Sequence, residues 1–192
     1  MSGSRPDTGV AATDVPDAII PTIITERLIL RPHRLDDLAA CAALWADVDV
    51  VRFIGGAPST REQAWARMLR YKGSWHFLGF GFWAIEERDG GRFIGEAGFL
   101  EGRRDILPSI EGTLEVGWVL VPSAHGKGYG TEAVAAMVGW GERHFAGKRM
   151  TCIISPENGA SLRLAGKLGF AEIAMTTYNN SAVAVLKRNG RR

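Results

Sequence analysis

This chain is poor in the residues that several common chemistries require. Cysteine occurs only as Cys41 and Cys152, far apart and with no C-x-x-C spacing, so neither a disulfide framework nor a cysteine-based metal site is expected. The histidines His33, His76, His125 and His144 form no H-x-x-x-H pair, and no metal is expected. There is no G-x-S-x-G nucleophile elbow. Cys152 lies in the apolar run Met150–Ile154 and reads as a small buried hydrophobe rather than a nucleophile. No apolar run approaches the roughly 18 residues of a membrane span, and the N-terminal segment has no signal-type apolar stretch. A cytoplasmic location without membrane contact is the expectation. The formal net charge is +2, too small a field for nucleic-acid binding through bulk charge.

What is present is an ordinary globular composition, 46% hydrophobic and 23% charged over 192 residues, which suits one domain with a sizeable core. Residues 1–21 combine Pro6, Pro16 and Pro21 with Ser, Gly and Asp and contain no aromatic. They are expected to be a flexible tail, and residues 22–188 a single domain. Lys187, Arg188, Arg191 and Arg192 read as a solvated C-terminal cluster. Alternation predicts strands over Ile24–Arg31, Phe80–Glu87, Arg92–Leu100, Leu114–Val121, Met150–Ser155, Phe170–Met175 and Ala182–Lys187. A polar loop is expected over Glu101–Gly112. Helical spacing predicts one helix from Asp36-Asp37, carrying Leu38, Cys41, Ala42 and Trp45. A second, capped at Ser59-Thr60, turns Ala64, Trp65, Met68 and Leu69 inward. A third opens after Thr131 and buries Val134, Met137, Val138, Gly141 and Phe145, and a fourth spans Asn158–Lys167.

The most specific segment is Leu120–Ala133. An apolar strand ends at Pro122, three alternating glycines (Gly126, Gly128, Gly130) surround Lys127 and Tyr129, and a helical pattern follows. Backbone N–H groups at a helix start lack intrahelical partners, and the helix dipole places about half a positive charge there. Glycines let the backbone approach a bulky anion, so the unit is a candidate phosphate cradle. A P-loop is excluded because the only lysine precedes the last two glycines. Gly128–Ala133 fits the relaxed dinucleotide pattern G-x-G-x-x-A. The acidic residue wanted about 20 positions on is missing, however, since Cys152–Ser155 lie there and the first acid is Glu157. A nucleotide-binding oxidoreductase module is the weaker reading.

His125–Gly130 resembles the pyrophosphate loop Q/R-x-x-G-x-G/A of the GNAT acetyltransferases, with His125 where Gln or Arg is usual. Asn158, Ser161, Lys167, Gly169 and Phe170 resemble the N-x-x-S/A…K-x-G-F element of the same family, in its order. Thr25–Pro32, Gly81–Ile85 and Phe93–Phe99 look like the branch containing the ribosomal-protein N-acetyltransferases. The resemblance covers roughly Ile23 to Arg188. It implies an α/β fold: a strongly twisted, mostly antiparallel sheet with helices on both faces. It also implies acetyl transfer from acetyl-CoA to a primary amine, either a protein N-terminus or a small-molecule amine, and a possible homodimer.

The chemistry then divides among residues. Anchoring of acetyl-CoA falls to the main chain of His125, Gly126, Lys127, Gly128, Tyr129, Gly130 and Thr131, with Lys127 able to add a point charge. The resemblance implies that the strand splays near Val119, so that Val119, Leu120 and Val121 meet pantetheine and a main-chain N–H serves as oxyanion donor. Glu115, on the strand leading to the cradle, is the first candidate base, with Glu96 on the neighbouring strand as the second. An α-amine titrating near 7.7–8.0 would need only a weak base. Many family members supply a tyrosine acid where this chain has Ala165; Ser161 is the candidate substitute, or else a helix-start hydroxyl. Asn158 is expected to hold cofactor amides or cap its helix. The absent tyrosine leaves a non-catalytic acyl-CoA-binding protein as the alternative. Trp65, Trp75 and Trp83 are candidates for core or acceptor-cleft wall.

Overall fold

The computed structural model describes residues 20–188. The expected tail therefore lies outside the described residues except at Ile20 and Pro21. Those two are docked: Ile20 is buried in the main core, and the Pro21 carbonyl accepts from Trp83 Nε1 at 2.7 Å. Lys187 and Arg188 are not a solvated tail either. Both belong to the last strand, and Arg188 is held by Glu142 and the Leu168 carbonyl.

In chain order the elements are β1 (Ile23–Ile24), β2 (Leu28–Arg31), α1 (Leu38–Ala46), α2 (Val48–Val51), α3 (Arg61–Leu78), β3 (Phe82–Glu87), β4 (Phe93–Leu100), β5 (Leu114–Leu120), α4 (Tyr129–His144), β6 (Met150–Ile154), α5 (Gly159–Lys167), β7 (Phe170–Tyr178) and β8 (Ser181–Arg188). The strands form one sheet in the order β1-β2-β3-β4-β5-β6-β8-β7. Every neighbouring pair is antiparallel except β5–β6, which α4 joins as a parallel crossover. The mixed, mostly antiparallel sheet expected from the sequence is present.

Alternation along β5 decides which helices meet which face. Leu114, Val116 and Leu120 pack in the main core with Ala133, Val134, Met137 and Val138 of α4. Val119 points the other way, into Leu44 and Trp45 of α1 and Val50 and Val51 of α2. Helices thus cover both faces.

Three local departures from the sequence reading have physical causes. The strand expected over Ile24–Arg31 is broken into β1 and β2 by a turn in which Thr25 N donates to Leu28 O at 2.9 Å. Thr25 and Arg27 there turn aside to bind α4, a long-range demand invisible to local alternation. The inward face of α3 is Ala64, Met68, Tyr71 and Trp75. Trp65 and Leu69, expected inside, are 36% and 52% exposed, because the buried stripe follows i, i+4, i+7, i+11 from Ala64. Helix α4 begins at Tyr129 rather than after Thr131. The turn from β2 to α1 is fixed by Arg31, which donates to both Asp37 carboxylate oxygens at 2.7 and 2.8 Å and to Glu86 at 2.6 Å. Among the described residues, no helix is long and apolar enough to cross a membrane.

Candidate active site

The parallel β5–β6 ladder is short. It pairs Leu114 with Met150 and Glu115 with Thr151 and then stops, its closed end pinned by a buried 2.7 Å hydrogen bond between the Thr113 and Thr151 hydroxyls. From Val116 to Leu120, β5 pairs with β4 alone. The splay expected near Val119 therefore opens after Glu115, and one backbone edge of β5 runs unpaired toward the glycine loop.

That loop leaves β5 through a single tight turn, Pro122–Ala124. The His125 imidazole sits 3.1 Å (Nε2) from the Leu120 carbonyl, so it braces the loop and does not extend toward an anion. Gly126 and Gly128 take φ of +74° and +82°, values that disfavour any side chain. Gly130 has a different reason to be glycine: a Cβ there would lie 3.1 Å from Leu164 of α5 and 3.6 Å from Leu120. The first hydrogen bond of α4 runs from Glu132 N to Gly128 O at 3.1 Å. The N–H groups of Tyr129, Gly130 and Thr131 precede it and have no helical acceptor. Lys127 is exposed at the lip. Tyr129 carries the Arg27 guanidinium 4.8 Å above its ring, and its hydroxyl bonds to Glu87, which together with burial raises the phenol's pKa.

Helix α5 packs against the start of α4, with Leu164 beside Gly130. Asn158 caps it, its Oδ1 accepting from Ser161 N at 3.0 Å, so the asparagine oxygen and the Ser161 amide are committed to the cap. The Ser161 hydroxyl takes no part in that bond. Ala165 is fully buried and supplies no proton donor.

The two candidate carboxylates occupy the α1–α2 face of the sheet, like Val119, but in unlike surroundings. Glu96, opposite Val119 on β4, is fully buried. Its Oε1 lies 3.1 Å from His33 Nε2, and its Oε2 accepts from Trp45 Nε1 at 2.9 Å and the Tyr71 hydroxyl at 3.0 Å. Burial alone would push the Glu96 carboxyl up; the hydrogen bond and electrostatic attraction of His33, followed by hydrogen bonds from Trp45 and Cys41, more than offset it, and the group lies below the usual carboxylate range. The same carboxylate and burial push the Tyr71 hydroxyl and the Cys41 thiol up, so both stay protonated donors. Tyr71 stacks on Phe82 with centroids 4.7 Å apart, and Phe82 has room because Gly98 and Gly117 lie against it. His33, Cys41 and Glu96 offer metal-capable atoms within 4.8 Å of one another, but the hydrogen bonds already account for the cluster.

Glu115, at the closed end of the splay, is buried and chelated. Arg104 Nε lies 2.7 and 3.0 Å from its two oxygens and Nη2 lies 2.7 Å from Oε1, while Nη1 donates to the Tyr178 hydroxyl at 2.9 Å. From Glu115 to Leu120 the strand rises about 17 Å. The splay thus opens along the Val116–Leu120 stretch of β5 and leads to the glycine loop, with Glu96 opposite Val119 and Glu115 at its closed end. Sequence reasoning missed His33, Cys41, Trp45 and Tyr71 as partners of Glu96 and Arg104 as the partner of Glu115. These residues come from separate elements, and no local spacing links them.

Comparison with known proteins adds independent information. The family described as Acetyltransferase (GNAT) domain matches residues 27–171. The uncharacterised N-acetyltransferase YoaA of Bacillus subtilis is 28% identical over 179 residues, spanning 88% of this chain and 98% of YoaA. The acetyltransferase from Agrobacterium tumefaciens C58 superposes with a TM-score of 0.77 at 27% identity, covering 89% of this chain and 95% of that one. RimL, a ribosomal L7/L12 alpha-N-protein acetyltransferase solved with coenzyme A, superposes at 0.70 with 16% identity, over 88% of this chain and 97% of RimL.

Proposed function

The chain belongs to the GNAT acetyltransferase family, and from that premise we propose that it moves an acetyl group from acetyl-CoA to a primary amine by direct attack, without a covalent enzyme intermediate. The observation that supports this most strongly is the splayed β5–β6 pair opening onto a glycine loop at the start of α4. The unpartnered N–H groups of Tyr129, Gly130 and Thr131 suit a diphosphate, with the N–H groups of Gly126, Lys127 and Gly128 and the Lys127 charge beside them; the His125 N–H, expected to join them, is committed to the Pro122 carbonyl at 3.0 Å. On the free edge of β5, the main-chain groups of Trp118 and the N–H of Leu120 suit the amides of a pantetheine arm; Val119 and Val121, expected there from the sequence, turn their main-chain groups to β4, and the Leu120 carbonyl is held by His125. A main-chain N–H on that edge is the donor assigned to the carbonyl oxygen as it gains charge.

For proton transfer we favour Glu96 over Glu115. An amine that has begun to bond to the carbonyl becomes strongly acidic, so a carboxylate held ionised beside Val119 can accept its proton. Glu115 instead lies at the closed end of the splay, where its charge is matched by the Arg104 guanidinium. Ser161 keeps its hydroxyl for the departing thiolate. The acceptor is a protein N-terminal amine or a small-molecule amine; RimL's substrate class motivates the first. Buried Ala165 favours a second reading, acyl-CoA binding without turnover.

Calorimetric titration with acetyl-CoA and CoA, followed by thiol release over N-terminal peptides and small amines, separates the two. Binding with no thiol release from any amine would leave only the second reading. Gly128→Val, which places a branched side chain at φ +82° in the cradle, should abolish measurable CoA binding. Retained affinity would remove the cradle from the mechanism.

A further inference from the structure

The loop that faces the diphosphate does not stand alone. The turn Thr25-Glu26-Arg27-Leu28 between β1 and β2 grips it through Glu132, in the first turn of α4. Glu132 Oε1 accepts from the Thr25 hydroxyl at 2.6 Å and from Arg27 N at 2.8 Å. Its Oε2 takes Arg27 Nε and Nη2, each at 2.7 Å. The remaining arm of the guanidinium, Nη1, donates to the Lys127 carbonyl at 2.9 Å. Arg88 fixes the turn from behind, its Nη1 donating to the Thr25 and Glu26 carbonyls at 3.0 Å and its N to the Arg27 carbonyl at 2.9 Å.

This arrangement resolves an electrostatic conflict. An acidic residue in the first turn stabilises a helix by meeting the positive end of its dipole. Here the same end has to receive a doubly charged diphosphate, and an uncompensated Glu132 carboxylate would repel it within one helical turn. Contact with Arg27 and Thr25 holds the Glu132 carboxyl ionised, with its pKa lowered against the opposing effect of burial, so the negative charge is permanent. The Arg27 cation cancels it. The guanidinium also binds the Lys127 carbonyl, and Arg27 Nη2 lies 3.3 Å from where a Cβ on Gly128 would be. Half-exposed Arg27 at that lip is no core residue.

We infer that Arg27 is a positioning residue of the diphosphate site: it neutralises Glu132 and fixes the Lys127 carbonyl so that the start of α4 presents net positive potential to CoA. The inference rests on the acetyl-CoA reading above. It is tested by calorimetric affinities of CoA and 3′-dephospho-CoA for the parent, Arg27→Met, Arg27→Lys, Glu132→Gln and the Arg27→Met/Glu132→Gln double variant. Arg27→Met should weaken both ligands alike by about two- to tenfold, the scale of a helix-terminus charge effect. Arg27→Lys, which keeps the charge, should recover much of the loss. The double variant should bind better than Arg27→Met, because the uncompensated negative charge is gone; a brace lost for purely structural reasons would not be rescued by removing its second half. Unchanged affinity in Arg27→Met, or a double variant no better than Arg27→Met, overturns the inference. So does a loss confined to CoA, which would move the contact to the 3′-phosphate. A parent that binds neither ligand would instead sink the acetyl-CoA reading itself.

Discussion

Glu96 and Glu115 are both buried glutamates on the same face of adjacent antiparallel strands, separated by four residue steps of the β4–β5 register, about 13 Å. One is surrounded by side chains that donate hydrogen bonds, an indole, a phenol and an imidazole; the other is clasped by a guanidinium. Equal burial has therefore produced two different chemical objects. A carboxylate matched by a permanent cation is neutralised as a unit and ties a loop to the sheet, here through Arg104 and Tyr178. A carboxylate shared among an imidazole, an indole and a phenol is clasped by no guanidinium, and Glu96 stands opposite Val119, where β5 has lost its β6 partner. Burial alone does not separate a structural acid from one suited to chemistry; the kind of donor does.

The largest test of that contrast is Glu96→Ala, which strands the Trp45, Tyr71 and His33 donors without an acceptor. Three buried groups left without their acceptor, at about 1–3 kcal/mol each, should cost several kcal/mol of unfolding free energy in urea. A loss below about 1 kcal/mol would show that water or another group replaces the carboxylate. Next in size is the catalytic difference. With the acceptor identified, Glu96→Gln should slow turnover by at least about 100-fold with CoA affinity kept within a few-fold, while Glu115→Gln leaves turnover within a few-fold. The opposite order would return the base to Glu115.

A smaller effect sharpens the structural half of the comparison. Arg104→Met leaves Glu115 buried beside no cation and should cost about 1–3 kcal/mol, whereas Arg104→Met combined with Glu115→Leu should cost less than the two single changes summed. Simple additivity in that cycle would mean the pair is not coupled. The smallest effect is in pH. The Glu96 carboxyl is lowered in the folded protein, so its contribution is fully present above the ordinary carboxylate value of about 4.3 and fades as pH falls through the lower folded value. Melting curves from pH 6 down to 3 should show the parent losing stability in that window more steeply than Glu96→Gln, and parallel acid limbs would count against an ionised, stabilising Glu96.

The strand, glycine loop and helix from β5 to α4 were legible because their information is local. Strand, glycines and helix are contiguous from Leu114 to His144, and the glycine spacing carries the loop conformation with it. The α4 core stripe Val134, Met137, Val138, Gly141 was legible for the same reason. The α3 stripe was half misread because Trp65 and Leu69 are apolar but lie off the Ala64–Met68–Tyr71–Trp75 line, and only packing selects between two overlapping stripes. The interruption between β1 and β2 was not legible because it is made by Glu132, more than a hundred residues further on. Glu115 looked the better base because it shares a strand with the cradle. Its pairing with Arg104 from the loop between β4 and β5 could not be read from spacing.

The amino-acid sequence by itself determined most of the strands and helices, the glycine loop at Gly126, Gly128 and Gly130, and the likeness to the family. Each depends on neighbours within a few residues, where chain geometry is nearly fixed. Tertiary structure alone decided that β5 and β6 part after Glu115, that Arg27 and Thr25 brace the start of α4, and which of two buried acids stays paired with a cation. Those outcomes depend on which side chains from distant segments reach the same few ångströms. The energy of a buried charge is set by those neighbours and not by its place in the chain.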